Sequence, residues 1–159
     1  MNFFLLSSML TSSPKGWLEL EKLHPSLARV FFLLVLPLSL IPPAMLYFAG
    51  THYGNTFFPG VADKEWSMIA VTFFLVEMIT FAAMGWLIKE IADTYRVEIS
   101  VHDAYLLAAI APIPLWVSAL VLLVPSMAWI AGVSFAALCV SCVVIYHGIY
   151  AFCHMREEM

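Results

Sequence analysis

A chain of 159 residues that is 63% hydrophobic and 11% charged cannot close that much apolar surface inside one small soluble core. Its solvent is the bilayer, and the expected class is an all-α polytopic membrane bundle. A net charge of −4 offers no basic stripe for nucleic acid, and three cysteines supply no disulfide framework.

Residues 1–29 open with "MNFFLLSSMLTSSPKG". This stretch lacks a basic n-region, and serines break its apolar run, so it reads as a retained leader, interfacial or disordered, rather than a signal peptide. In "WLELEKLHPSLAR", Trp17, Leu20, Leu23 and Leu27 recur at three- to four-residue spacing while Glu19, Glu21 and Lys22 take other faces. That is a short amphipathic helix lying on the membrane surface, a pattern that also suits a docking helix for a soluble partner.

A transmembrane domain over 30–155 follows, with a cytoplasmic tail at 156–159. No Asp, Glu, Lys or Arg lies between Arg29 and Asp63, so a first span fits at 30–50. The second, 66–88, contains one acid, Glu77. Residues 104–155 again lack all four charged types and accommodate spans at 104–124 and 127–153, turning at Pro125–Ser126. Lys15, Lys22, Arg29, Lys89, Arg96 and Arg156 fall on one side and Lys64 on the other, which predicts cytoplasmic termini. Trp17, Trp66, Trp86 and Trp129 fall near the interfaces, whereas Trp116 lies deeper and reads as a packing residue.

Prolines interrupt two spans. Pro37, Pro42 and Pro43 in the first would free the carbonyls of Leu33, Leu38 and Ser39, and Pro112 and Pro114 in the third those of Ala108 and Ile110. Such carbonyls must face protein or a small wet cavity rather than lipid. Static kinks that shape a compact bundle are the preferred reading; a broken-helix solute site is the alternative.

Glu77 is costly at mid-membrane, by at least ~2.5–3.5 kcal/mol if ionised, and must look inward. Thr80 lies one turn away, and Ser118, Ser134 and Ser141 are hydroxyls able to meet it across the bundle. Two readings stand: a proton or cation site formed with Thr80 and Ser118, or a neutral acid binding helix to helix.

Cys139 and Cys142 sit in an apolar helix and read as packing residues, and no metal or cofactor is expected from them or from His24, His102, His147 and His154. Ala128, Gly132 and Ala136 form a small-xxx-small ladder suited to helix packing. Without a phosphate loop, nucleophile elbow or HExxH, an enzyme is not expected.

"HPSLARVFFLLVLPLSLIPPAMLYFAG", "MGWLIKEIADTY", "YLLAAIAPIPLWVSALVLLVPSMAW" and "VIYHGIYAF" together resemble the bacterial branch of the Yip1 family, from about Trp17 to Phe152. The proline-bearing third span, the Pro125 turn and the Tyr146-x-Gly148 ending carry the likeness most clearly. The resemblance implies a membrane bundle with a cytoplasmic N-terminus, residing in a bacterial inner membrane. Eukaryotic relatives act in vesicle traffic with Rab GTPases, a role that does not carry to a bacterial-looking chain. Family members commonly have five spans and this sequence has four, so the fifth is either lost or replaced by another subunit. The expected function is that of a noncatalytic accessory or assembly component, with lipids and other transmembrane subunits, or further copies of itself, as partners. A small transporter or channel component using Glu77 is the alternative.

Overall fold

The computed structural model describes residues 26–57, 59–60, 63–97 and 99–157. The leader, most of the expected amphipathic helix and the last two residues of the tail lie outside them. Four long helical segments make up the bundle: α1, Leu27–Thr56; α2, Trp66–Thr94; α3, Val101–Leu123; and α4, Met127–Glu157. No strand occurs among the described residues. The shortest of the four, the 23 residues of α3, reaches about 34 Å at ~1.5 Å per residue, enough for a hydrocarbon core of ~30 Å.

The segments overlap the stretches expected at 30–50, 66–88, 104–124 and 127–153. The third starts a little earlier and stops at Leu123, because Val124 precedes Pro125 and takes extended angles (φ −106°, ψ 118°) that clear the proline ring. α4 restarts directly, with the Ile130 N–H donating to the Ser126 carbonyl at 3.0 Å.

α1 and α3 are continuous rods in neither case. In α1 the turn before Pro37 is a π-helix, Phe31–Val35, in which the Leu36 N–H reaches back to the Phe31 carbonyl. The widened turn makes room for a ring that would otherwise strike the preceding turn. Regular helix stops again at Leu40 and resumes at Ile41, which puts Pro42 and Pro43 in a first turn where a missing N–H costs little. The Leu38 carbonyl, expected to be free, accepts the Leu40 N–H. α3 breaks at Ala111–Pro112 and resumes as Ile113–Ser118, then tightens into a 3-10 turn, Ala119–Leu123.

Helix ends follow local chemistry. α2 closes with the Val97 N–H on the Ala92 carbonyl (2.8 Å) and the Arg96 N–H on that of Asp93 (3.1 Å), a Schellman motif in which Arg96 takes the left-handed position (φ 59°). Ala92 and Val97 both join the core, which supplies the apolar contact this motif favours. Ser100 caps α3: its hydroxyl accepts the Asp103 N–H at 3.1 Å and donates to Asp103 Oδ2 at 2.5 Å. Ser100→Ala is expected to cost about 1 kcal/mol, measured as a lower thermal midpoint in micelles; an unchanged midpoint would mean that the cap contributes nothing.

α3 is the central helix. In its most apolar window 44% of residues are buried, against 33% in α1, 11% in α4 and 6% in α2. The core gathers Leu106, Leu107, Ile110 and Ile113 of α3 with Val30, Leu34 and Val35 of α1, Ala92 of α2 and Val144 of α4. It therefore occupies the half of the bundle where α1 begins and α2 ends. At the other end, the Tyr53 hydroxyl donates to the Leu122 carbonyl and ties α1 to the 3-10 turn of α3.

Candidate functional site

α2 and α4 both pack beside α3 but make no extended contact with each other. Between them lies a cleft of about 700 Å³. Its floor is α3, with Pro112 and Trp116; its walls are α2, with Glu77 and Thr80, and α4, with Ser134 and Ser141; Pro42 and Leu46 of α1 close one end. Lining residues such as Phe73, Val76 and Leu138 are also exposed at the surface of the chain, so the cleft opens sideways, toward the region lipid occupies.

Glu77 stands near the middle of α2 and points into this cleft. Trp116 is 3% exposed, and its indole N–H donates to Glu77 Oε1. The sequence expectation for Trp116, a packing residue, is therefore incomplete: it packs, and it also holds the carboxyl. Its depth, matching that of Glu77 on a neighbouring span, was the available signal. A deep indole carries an N–H that must find an acceptor.

The remaining polar groups divide into satisfied and unsatisfied. The Thr80 hydroxyl donates to the Val76 carbonyl at 2.8 Å and that of Ser118 to Leu115 at 2.8 Å. Both return to their own helices, although both residues line the cleft. Glu77 Oε2 and the hydroxyl of Ser141, which is 4% exposed, are buried and have no partner among the described residues. Both residues line the same cleft.

The prolines do not act as one group. Pro42 and Pro112 line the cleft, as does Ala108, whose carbonyl Pro112 leaves without its usual donor. Pro43 is buried, Pro114 is half-buried, and Pro37 is exposed on the outer face of α1. Of the small-residue ladder, Ala128, Gly132 and Ala136 are all exposed, and a Cβ on Gly132 would meet nothing within 4 Å. Among the described residues no helix is packed closely onto Gly132. Two other glycines do that work: Gly50 lies against the Trp66 ring and Gly85 against Tyr105.

Cys139 and Cys142 are free and exposed. His147 Nδ1 lies 2.9 Å from the Val143 carbonyl oxygen one turn back. Among the described residues no group of three or more His, Cys, Asp or Glu side chains could hold a metal ion.

The sequence pattern that defines the Yip1 domain matches residues 7–159. The chain belongs to the Yip1 family. No curated protein and no solved structure matches it. For this Yip1 protein, membership and four membrane-length apolar helices make it an integral membrane protein, and the helical bundle implied by the sequence resemblance agrees with the fold.

Proposed function

We propose that this Yip1-family protein is a noncatalytic accessory component that works by lateral association with the transmembrane helices of other subunits. The supporting observation is the contrast between its glycines. Gly50 and Gly85 are placed against aromatic rings of neighbouring helices, whereas Gly132, with Ala128 and Ala136, presents a close-approach face outward from α4 that no described residue covers at Gly132. In a bilayer, lipid tails are as apolar as leucine, so close backbone approach at small residues is what helix association draws on. Arg29, Lys89 and Arg96 at one end of the spans, against Lys64 at the other, support cytoplasmic termini in a bacterial inner membrane.

The test is purification from the native membrane in a mild detergent, followed by native mass. The expected result is a defined complex well above the 17.8 kDa of one chain that contains a second membrane protein. Gly132→Leu is expected to release this chain from the complex without lowering its own thermal midpoint. A lone monomer would sink the accessory role, and a pure homo-oligomer would replace the partner with a second copy.

A second reading, a small-solute site or transport component at Glu77, is favoured by a separate observation: two buried polar atoms, Glu77 Oε2 and Ser141 Oγ, are left without partners in one cleft. Buried groups of this kind are ordinarily satisfied.

A further inference from the structure

The chemistry of the cleft restricts what could occupy it. Among the described residues that line it, Glu77 is the one carboxyl and none is Lys, Arg or His. Oε1 already accepts the Trp116 N–H, and Oε2 is the oxygen left without a partner. An occupant that meets the ionised carboxylate must donate to Oε2, which excludes groups that only accept. An anionic head would meet the carboxyl as a like charge with no cation beside it.

Ser141 narrows the choice. Helical Ser and Thr in apolar surroundings usually bond back to the carbonyl three or four residues earlier, as Thr80 and Ser118 do here. Ser141 does not, and its buried oxygen remains available in the same cleft. The rest of the wall is almost wholly apolar, and its rings at Phe73, Phe81 and Trp116 are of the kind that attract a cation to their faces. The volume of about 700 Å³ lies within the ~300–1,000 Å³ range of small-molecule sites. The opening lies between the membrane-length helices α2 and α4.

We propose that this cleft binds a lipophilic amine taken laterally from the bilayer, its ammonium group pairing with Glu77 Oε2 and donating to Ser141 Oγ while its apolar body lies along α2 and α4. An ammonium group supplies both the missing charge and several donors, which a neutral hydroxyl does not. This inference rests on the small-solute reading of Glu77 and is independent of the accessory role.

The test is native mass spectrometry of the whole protein in a sugar-based detergent, titrated with dodecylamine, dodecanol or dodecanoate. One dodecylamine per chain is expected, with occupancy at least about tenfold above that of either other probe. Glu77→Gln is expected to abolish that preference and Ser141→Ala to weaken dodecylamine binding severalfold, each variant being checked for unchanged helicity and a monodisperse elution. Because the comparison of head groups uses the unaltered chain, it stands even if a variant fails to fold. Equal binding of all three probes would overturn the proposal and the small-solute reading together, since the cleft would then be only an apolar groove. A preference for dodecanol that Glu77→Gln removes would overturn the amine while leaving the site. No bound probe would overturn both.

Discussion

Replacing Trp116 with Ala is expected to destabilise the bundle by about 3–5 kcal/mol, the range for truncating a buried aromatic. Trp116→Phe separates the polar part of that loss from the packing part. Phe fills most of the space but leaves Glu77 with both oxygens unpartnered, and an orphaned buried polar group costs about 1–3 kcal/mol. Interhelical hydrogen bonds in bilayers fall toward the lower end of such ranges, so about 1–2 kcal/mol is expected for Phe. Glu77→Gln keeps an acceptor oxygen for the indole and should cost less. Glu77→Leu combined with Trp116→Phe removes donor and acceptor together and should recover most of the loss caused by Trp116→Phe alone. The parent, Trp116→Phe, Glu77→Leu and the double variant form a double-mutant cycle read by thermal or denaturant unfolding in micelles. Simple additivity would mean that the Trp116–Glu77 hydrogen bond contributes nothing to stability.

The second large effect is expected at Gly85. An added Cβ there would stand 2.5 Å from Cδ1 and Cε1 of Tyr105 and 2.8 Å from Cγ. These are ring atoms close to the backbone of α3, and swinging a flexible side-chain tip away does not relieve them. Tyr105 is also tied to α2 about one turn earlier, by an edge-on contact with Phe81 (6.1 Å, 69°) and by donating its hydroxyl to the Ala82 carbonyl at 3.3 Å. Gly85→Val must therefore separate α2 from α3, at about 1–3 kcal/mol for overpacking. Gly132→Ala is the matched control. With nothing within 4 Å of the new methyl, it should stabilise the isolated chain by up to about 1 kcal/mol through helix propensity. A Gly85→Val protein as stable as the parent would show that α2 and α3 can part without cost.

The small-residue ladder and the Glu77 cleft are different surfaces of the molecule. The ladder on α4 looks outward and the cleft lies between α2 and α4. A partner helix could thus engage Gly132 without filling the cleft, so the native-mass and ligand experiments test separate surfaces.

Much of this protein was legible in its sequence. Residence in the bilayer, four spans and the turn at Pro125 follow from local properties: a span needs about twenty apolar residues, and prolines and charges mark its ends whatever surrounds them. Glu77 was recognisable as inward-facing for the same reason, since a carboxyl has no tolerable place against lipid. The tertiary structure alone decided how each helix is rotated about its axis. In a soluble bundle, polarity would mark the outer face; here lipid and core are equally apolar, and the pattern carries almost no directional signal. That is why the ladder Ala128, Gly132 and Ala136, read as packing, turns outward, while Gly50 and Gly85 make the close contacts. It is also why Trp116 emerged as the partner of Glu77. Thr80 and Ser118 satisfy themselves on their own helices, and Ser141, one hydroxyl among several in the sequence, is left unpartnered beside the carboxyl. Hydropathy specifies that a helix enters the membrane, and only packing between helices specifies which side chains meet there.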